Sequence, residues 1–329
     1  MMNEKEFYEN VKESIGFFLP MEYAHAQISL TTQVKHNDME RTGISIRLPN
    51  ETVCPIIYLD DYFRQYQAGT GIDEVMQQIA KVRTGQGALT AELISPGLIS
   101  DYEQVKPMLQ MRAYDTEKNE KRLEGIVHHC FGDYSSGYAI VLNNSPERTM
   151  SVMVTPAMLE MWGITKKRLH DDTILSDLSK EPVLMDIGAA MFSVMGEGEG
   201  KNYLDKDTPR EALGPGKELM CLTNAEKVNG AGLILNSVVQ EKIAQVFGGS
   251  YFVLPSSIHE VLVLPDDGSH TAKELGMMVH EINATMVNPE DLLSDKVQVY
   301  DVGSRKLVNA FEYEKNHEKN IPQTRGKTM

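Results

Sequence analysis

The chain has 329 residues, enough for about two domains at roughly 150 residues each, and it carries 47 Asp and Glu against 32 Lys and Arg, a formal charge of −15. That balance argues against a protein that works by neutralising phosphates across a broad basic face. With 41% apolar and 24% charged residues, the composition is that of a globular chain with a substantial core, not of a disordered or fibrous one.

In chain order, the segment Asn3 to Phe18 sets Phe7, Val11, Ile15 and Phe18 at helical spacing behind an Asn3/Glu6 capping box, which predicts an amphipathic helix. It has no uninterrupted apolar core, so it does not read as a secretory signal. The period then changes. Gln27 to Val34, Gly43 to Leu48 and Val53 to Leu59 are β-rich runs joined by polar turns, the pattern of a three-stranded antiparallel meander. A helix with Val75, Met76 and Ile79 on one face follows, and then a β-like run from Met108 to Tyr114.

Two further strands are predicted at Gly137 to Leu142 and Met150 to Val154. Thr155 and Pro156 open a short helix that Gly163 stops, and a second helix begins at Thr165. Glycines and polar residues between Gly196 and Gly216 mark the best linker in the chain. Beyond it come a strand from Glu218 to Thr223, a turn at Asn229-Gly230, a strand from Gly232 to Leu235, a helix from Ser237 to Phe247 and strands at Tyr251 to Leu254 and His259 to Leu264. A helix from Thr271 to Met286 and a strand from Val297 to Tyr300 end the ordered pattern.

The fold class this implies is α+β, with mixed or largely antiparallel sheets and helices packed on them. The expected division is an N-terminal region 1–195, a glycine-rich linker 196–217, a C-terminal region 218–311 and a disordered tail 312–329. Val152 to Gly163 and Leu233 to Gly248 share a strand, cap, helix and glycine order, an echo that any β-to-α unit can produce.

The three cysteines, Cys54, Cys130 and Cys221, are odd in number and far apart, so they form neither a disulfide framework nor a CxxC metal pair. A reducing, cytoplasmic compartment is the expectation, and no run is long enough to span a bilayer.

Three groups of residues invite chemistry. Ser257, His259 and Glu260 lie together between two predicted strands, the residue types a hydrolase needs, but alternation sends His259 and Glu260 to opposite faces. No G-x-S-x-G turn exposes a serine, so a structural turn is the simpler reading. His128, His129 and Cys130, with Asp133 nearby, offer ligands in a row, yet consecutive residues rarely converge and no second half-site follows, so no metal is expected. His280-Glu281 matches half of a zinc-peptidase helix, but Ala284 stands where the second histidine must fall. On that helix Leu275, Met278, Val279, Ile282 and Met286 are expected to form the buried stripe, with His280 facing solvent.

The Gly196-Glu197-Gly198-Glu199-Gly200 run is acidic and opens no predicted helix, and Gly214-Pro215-Gly216-Lys217 lacks P-loop spacing. Nucleotide binding is disfavoured and no cofactor is expected. The 19 methionines suit flexible core packing, with an adaptable peptide-binding surface as the functional alternative.

The stretch Tyr251 to Pro265, YFVLPSSIHEVLVLP, and the run from Met111 through Asn119 to His128-His129-Cys130-Phe131-Gly132-Asp133 resemble an uncharacterised bacterial family, domain of unknown function 5688. The likeness covers about residues 4 to 311. It implies a cytosolic protein of gut-dwelling bacteria, often found beside mobile genetic elements, and brings no reaction or catalytic residue.

The leading expectation is a non-catalytic cytosolic protein that binds a protein or peptide partner, or a second copy of itself, without direct contact to nucleic acid or membrane. One alternative is a hydrolase built on Ser257 and His259. The other is an acidic mimic of nucleic acid, which would need its carboxylates clustered on one face.

Overall fold

The first helix starts where the side chain of Asn3 accepts the Glu6 N–H while the Glu6 carboxylate accepts that of Asn3, a reciprocal cap at 3.0 and 2.8 Å. A computed structural model describes residues 1–49, 51, 54–93, 97–145, 148–194, 200–205 and 219–320. The chain divides into two compact units, residues 1–101 and 102–329.

In the first unit, helix α1 (Glu4–Ser14) is followed by strands β1 (Gln27–Val34), β2 (Glu40–Arg47) and β3 (Ile56–Tyr58), and then by helices α2 (Asp60–Gln67) and α3 (Ile72–Leu93). The strands form the expected antiparallel meander, with Ile44 opposite Leu30 on one side and Ile57 on the other. Phe7, Val11 and Ile15 of the first helix and its following turn meet Ile44, Ile46 and Ile57 of the sheet and Val75, Met76 and Ile79 of α3 in one core. Arg83 extends from α3 into that core and is wholly buried. Its guanidinium donates to both Glu51 carboxylate oxygens at 2.6 and 2.7 Å, to the Ile46 carbonyl at 2.8 Å and to the Tyr23 hydroxyl at 3.3 Å.

The second unit opens with α4 (Tyr102–Val105), β4 (Leu109–Asp115), α5 (Glu120–Glu124), β5 (His128–Phe131), β6 (Tyr134–Ser145), β7 (Arg148–Met153), α6 (Pro156–Trp162) and α7 (Lys166–Leu178). It continues with β8 (Pro182–Asp186), α8 (Ile187–Val194), β9 (Met220–Asn224), α9 (Ser237–Phe247), β10 (Tyr251–Pro255), β11 (Val261–Pro265), α10 (Ala272–Met286), β12 (Gln298–Asp301), β13 (Lys306–Asn309) and α11 (Ala310–Asn320). One sheet joins β4, β6 and β5, with β7 also on β6, and the other runs β13-β12-β10-β11-β9-β8. All described pairings are antiparallel and helices lie among the sheets, so the fold is α+β.

Unpaired strand edges invite non-native pairing, and two of them are covered here. At the edge of β4, the Ser176 hydroxyl donates to the Leu109 carbonyl at 2.7 Å and Asp177 accepts the Met111 N–H at 3.3 Å. At β8, the Leu184 N–H donates to the Asn202 amide oxygen at 3.0 Å and its carbonyl accepts the Tyr203 N–H at 2.8 Å.

Several expectations need correction. The 196–217 segment, most of which lies outside the described residues, falls between β8 and β9, which pair with each other in one sheet. The boundary between the compact units is at 101/102. Gly230–Leu235 is a buried 3₁₀ turn and not a strand. A Cβ on Gly232 would lie 2.1 Å from the Met111 carbonyl oxygen, so the turn lies against the backbone of β4. That removes the strand from the second half of the strand-helix echo. The tail expected to be disordered from 312 carries α11 to Asn320. Asn309 caps this helix, and the Tyr313 hydroxyl donates to Asp266 at 3.0 Å.

Candidate functional site

Ser257, His259 and Glu260 do come together, in the turn between β10 and β11. The Ser257 hydroxyl donates to Glu260 at 2.7 Å and accepts the backbone N–H of His259 at 3.0 Å. The His259 ring is held elsewhere: Nδ1 accepts the Asn229 N–H at 3.1 Å, and Nε2 lies 3.6 Å from Asp291. The hydroxyl proton therefore points to a carboxylate, and no imidazole is placed to remove it. The rest of the turn is equally engaged. The His259 carbonyl accepts the Gly230 N–H at 3.0 Å and the Thr223 hydroxyl at 2.8 Å. A Cβ on Gly230 would come within 2.7 Å of that carbonyl, so this close approach requires glycine. The arrangement is a knot of hydrogen bonds that fixes the β10–β11 connection.

The other expected residues separate. Because β5 alternates, His128 and His129 leave on opposite faces. His128 Nδ1 lies 3.2 Å from the Ile126 carbonyl. Asp133 accepts from the side-chain amides of Gln298 and Asn309, each at 2.7 Å, and so ties the β5–β6 hairpin to β12 and β13.

His129 belongs to a cluster that sequence reasoning missed. Its Nδ1 is hydrogen-bonded to the buried Tyr138 hydroxyl, which also meets His170 Nδ1 at 2.9 Å and accepts from Ser136 at 3.1 Å. The two imidazole rings stand 4.9 Å apart. Burial, helped by Lys166 and by His170 itself, pushes His129 down to about 4, and burial also lowers His170. Burial raises Tyr138. Strand alternation relates Ser136 to Tyr138, but no local spacing could have announced His170, which comes from α7.

Among the described residues, no three His, Cys, Asp or Glu side chains are grouped as a metal ion would require. A cleft of about 600 Å³ is lined by Glu181, Met185, Asn202, Asn224, Lys227 and Lys242 among others, and by none of the six expected residues. Asn202 and Asn224 direct their amides largely to nearby backbone.

An exposed apolar feature lies on α10. Ala272, Leu275, Val279 and Asn283 form its buried side, which corrects the stripe expected from apolar residues alone. Asn283 takes the inward position because its amide donates to Ser294 O and Asp295 Oδ1, both at 2.9 Å. The helix is thereby rotated so that Met278 and Ile282, at the border of the buried side, are 38% and 40% exposed, and Met286, at the C-terminal end of the helix, is 80% exposed. At 100° per residue Met278 and Ile282 lie about 40° apart with Glu274 and Glu281 on the adjoining arc, while Met286 falls between the angles of the buried Leu275 and Val279. His280 faces solvent, as expected, 3.6 Å from Asp295.

No curated protein and no solved structure matches the chain. No helix among the described residues is long and apolar enough to cross a membrane. The profile of a family of unknown function, DUF5688, matches residues 4–302. That span takes in the meander and α3 of the first unit and, of the second, the sheet of β4 to β7, all of the other sheet but β13, the PSSIHEV knot and α10. The chain therefore belongs to this family of unknown function.

Proposed function

We propose that this protein acts by binding a protein partner on the outer face of α10, and that the docked segment is amphipathic and basic. The observation that carries this reading is the exposed Met278 and Ile282 beside Glu274 and Glu281, with Met286 exposed at the end of the helix. Thioether side chains adapt to varied apolar surfaces, and removing them from water favours association by about 25 cal/mol per Å². The neighbouring carboxylates favour Lys or Arg on the occupant and disfavour acidic surfaces. A second copy of a chain with charge −15 is a poor match for the same reason. The bacterial cytosol is the proposed setting, supported by three unpaired cysteines and by the resemblance already noted.

The test is fluorescence anisotropy with two labelled helical peptides, one of Leu and Lys and one of Leu and Glu. The reading expects saturable binding of the Lys peptide alone, lost in a Met278→Glu/Ile282→Glu variant. Equal binding of both peptides, or undiminished binding by the variant, would overturn it.

A further inference from the structure

Arg112 is 7% exposed in β4, Nη1 of its guanidinium has no hydrogen-bond partner, and no described carboxylate forms an ion pair with it. Gln110, two residues earlier and so on the same face of the strand, is 6% exposed, and its Oε1 is also without a partner. A buried cationic donor and a buried neutral acceptor on one face of β4 are thus left without partners.

An arginine this deep is expensive unless an anion accompanies it. Its planar fork holds its charge at neutral pH and suits an oxyanion in two-point contact. The neighbouring charges do not resolve the imbalance. Lys180 adds a second cation, whose ammonium is hydrogen-bonded to the Leu109 carbonyl. Asp177 acts electrostatically on Arg112 but forms no ion pair with it: its carboxylate is turned to the Met111 N–H at 3.3 Å, and burial pushes it up to about 7, so its negative charge is incomplete near neutral pH. Glu226 acts on Lys180 from farther off.

We propose that Arg112 and Gln110 form a binding site for a small phosphate oxyanion, with P–O⁻ oxygens on the guanidinium and a P–OH donating to Gln110 Oε1. Hydrogen phosphate carries both features. Sulfate and acetate offer the anionic oxygens but no proton at neutral pH. The site is independent of the α10 face.

The experiment is calorimetric titration of the whole protein with inorganic phosphate, O-phosphoserine, sulfate and acetate at matched ionic strength, with thermal unfolding in parallel. Inorganic phosphate should bind one to one and raise the unfolding midpoint as its concentration rises. Binding of O-phosphoserine as well would identify a monoester as an acceptable source of the same group. Arg112→Met should abolish binding. Gln110→Leu, which leaves the charge in place, should weaken phosphate by about tenfold and leave any sulfate binding unchanged. The proposal fails if wild type binds phosphate no better than sulfate. It also fails if Gln110→Leu binds phosphate as wild type does, a result readable even should Arg112→Met not fold.

Discussion

Tyr138 has one proton to give and two lone pairs, and three neighbours make use of them. With Ser136 donating, one of His129 and His170 must donate through Nδ1 while the other accepts the tyrosyl proton. The pair can therefore carry at most one charge without losing a bond, in keeping with the downward direction of both histidines. Between about 6.5, the ordinary imidazole value, and about 4, the unfolded chain binds a proton that the folded His129 refuses. Stability from this residue is thus complete above the upper limit and declines as pH falls towards the lower one. Asp177, raised by burial to about 7, acts in the opposite sense, because its contribution is lost as pH rises to that value. The clean readout is therefore a difference. Urea unfolding of His129→Asn against wild type should show the variant gaining relative stability from pH 7 to pH 4, and a constant difference would refute the assignment. A second residue-level prediction concerns Glu51. Replacing it with Gln leaves the buried Arg83 charge uncompensated, which should cost roughly 3 kcal/mol in urea unfolding. A change under about 0.5 kcal/mol, the size of an ordinary surface substitution, would show that the pair contributes little.

At the level of elements, Gly230–Leu235 and α10 show what local pattern can and cannot reveal. The meander, α1, α6 and α9 were legible because turns, caps and stop glycines are written in adjacent residues. The run Gly232 to Leu235 has the composition of a strand, but its conformation is set by the remote backbone of β4, on which Gly232 rests. Gly232→Ala should therefore destabilise the second unit by about 3 kcal/mol, the upper range for overpacking against a rigid neighbour, as judged by thermal or urea unfolding. A neutral substitution would contradict that packing. In α10, a helical wheel of apolar residues misplaced the buried side because Asn283 finds its partners in Ser294 and Asp295, beyond the helix. The same limit applied to candidate chemistry. Ser257, His259 and Glu260 are close in the chain, but the hold of Asn229 and Asp291 on the imidazole could not be read locally.

For the whole molecule, an excess of acid and an unusual number of methionines take on meaning only through their placement. Most of the core needs no special explanation: aliphatic residues at helical and strand periods fill it. The outer side of α10 is different, since it leaves Met278 and Ile282 partly in water beside carboxylates and Met286 exposed at its end. A docking role requires that these side chains be dispensable for folding, so Met278→Glu/Ile282→Glu should unfold within about 0.5 kcal/mol of wild type. Docking on α10 is tested by methyl NMR on protein labelled at the methionine methyl groups, titrated with the Leu and Lys helical peptide. Saturable shifts are expected at Met278 and Met286, none with the Leu and Glu peptide, and little change at the core methionines. Shifts absent from α10, or the same response to both peptides, would contradict it.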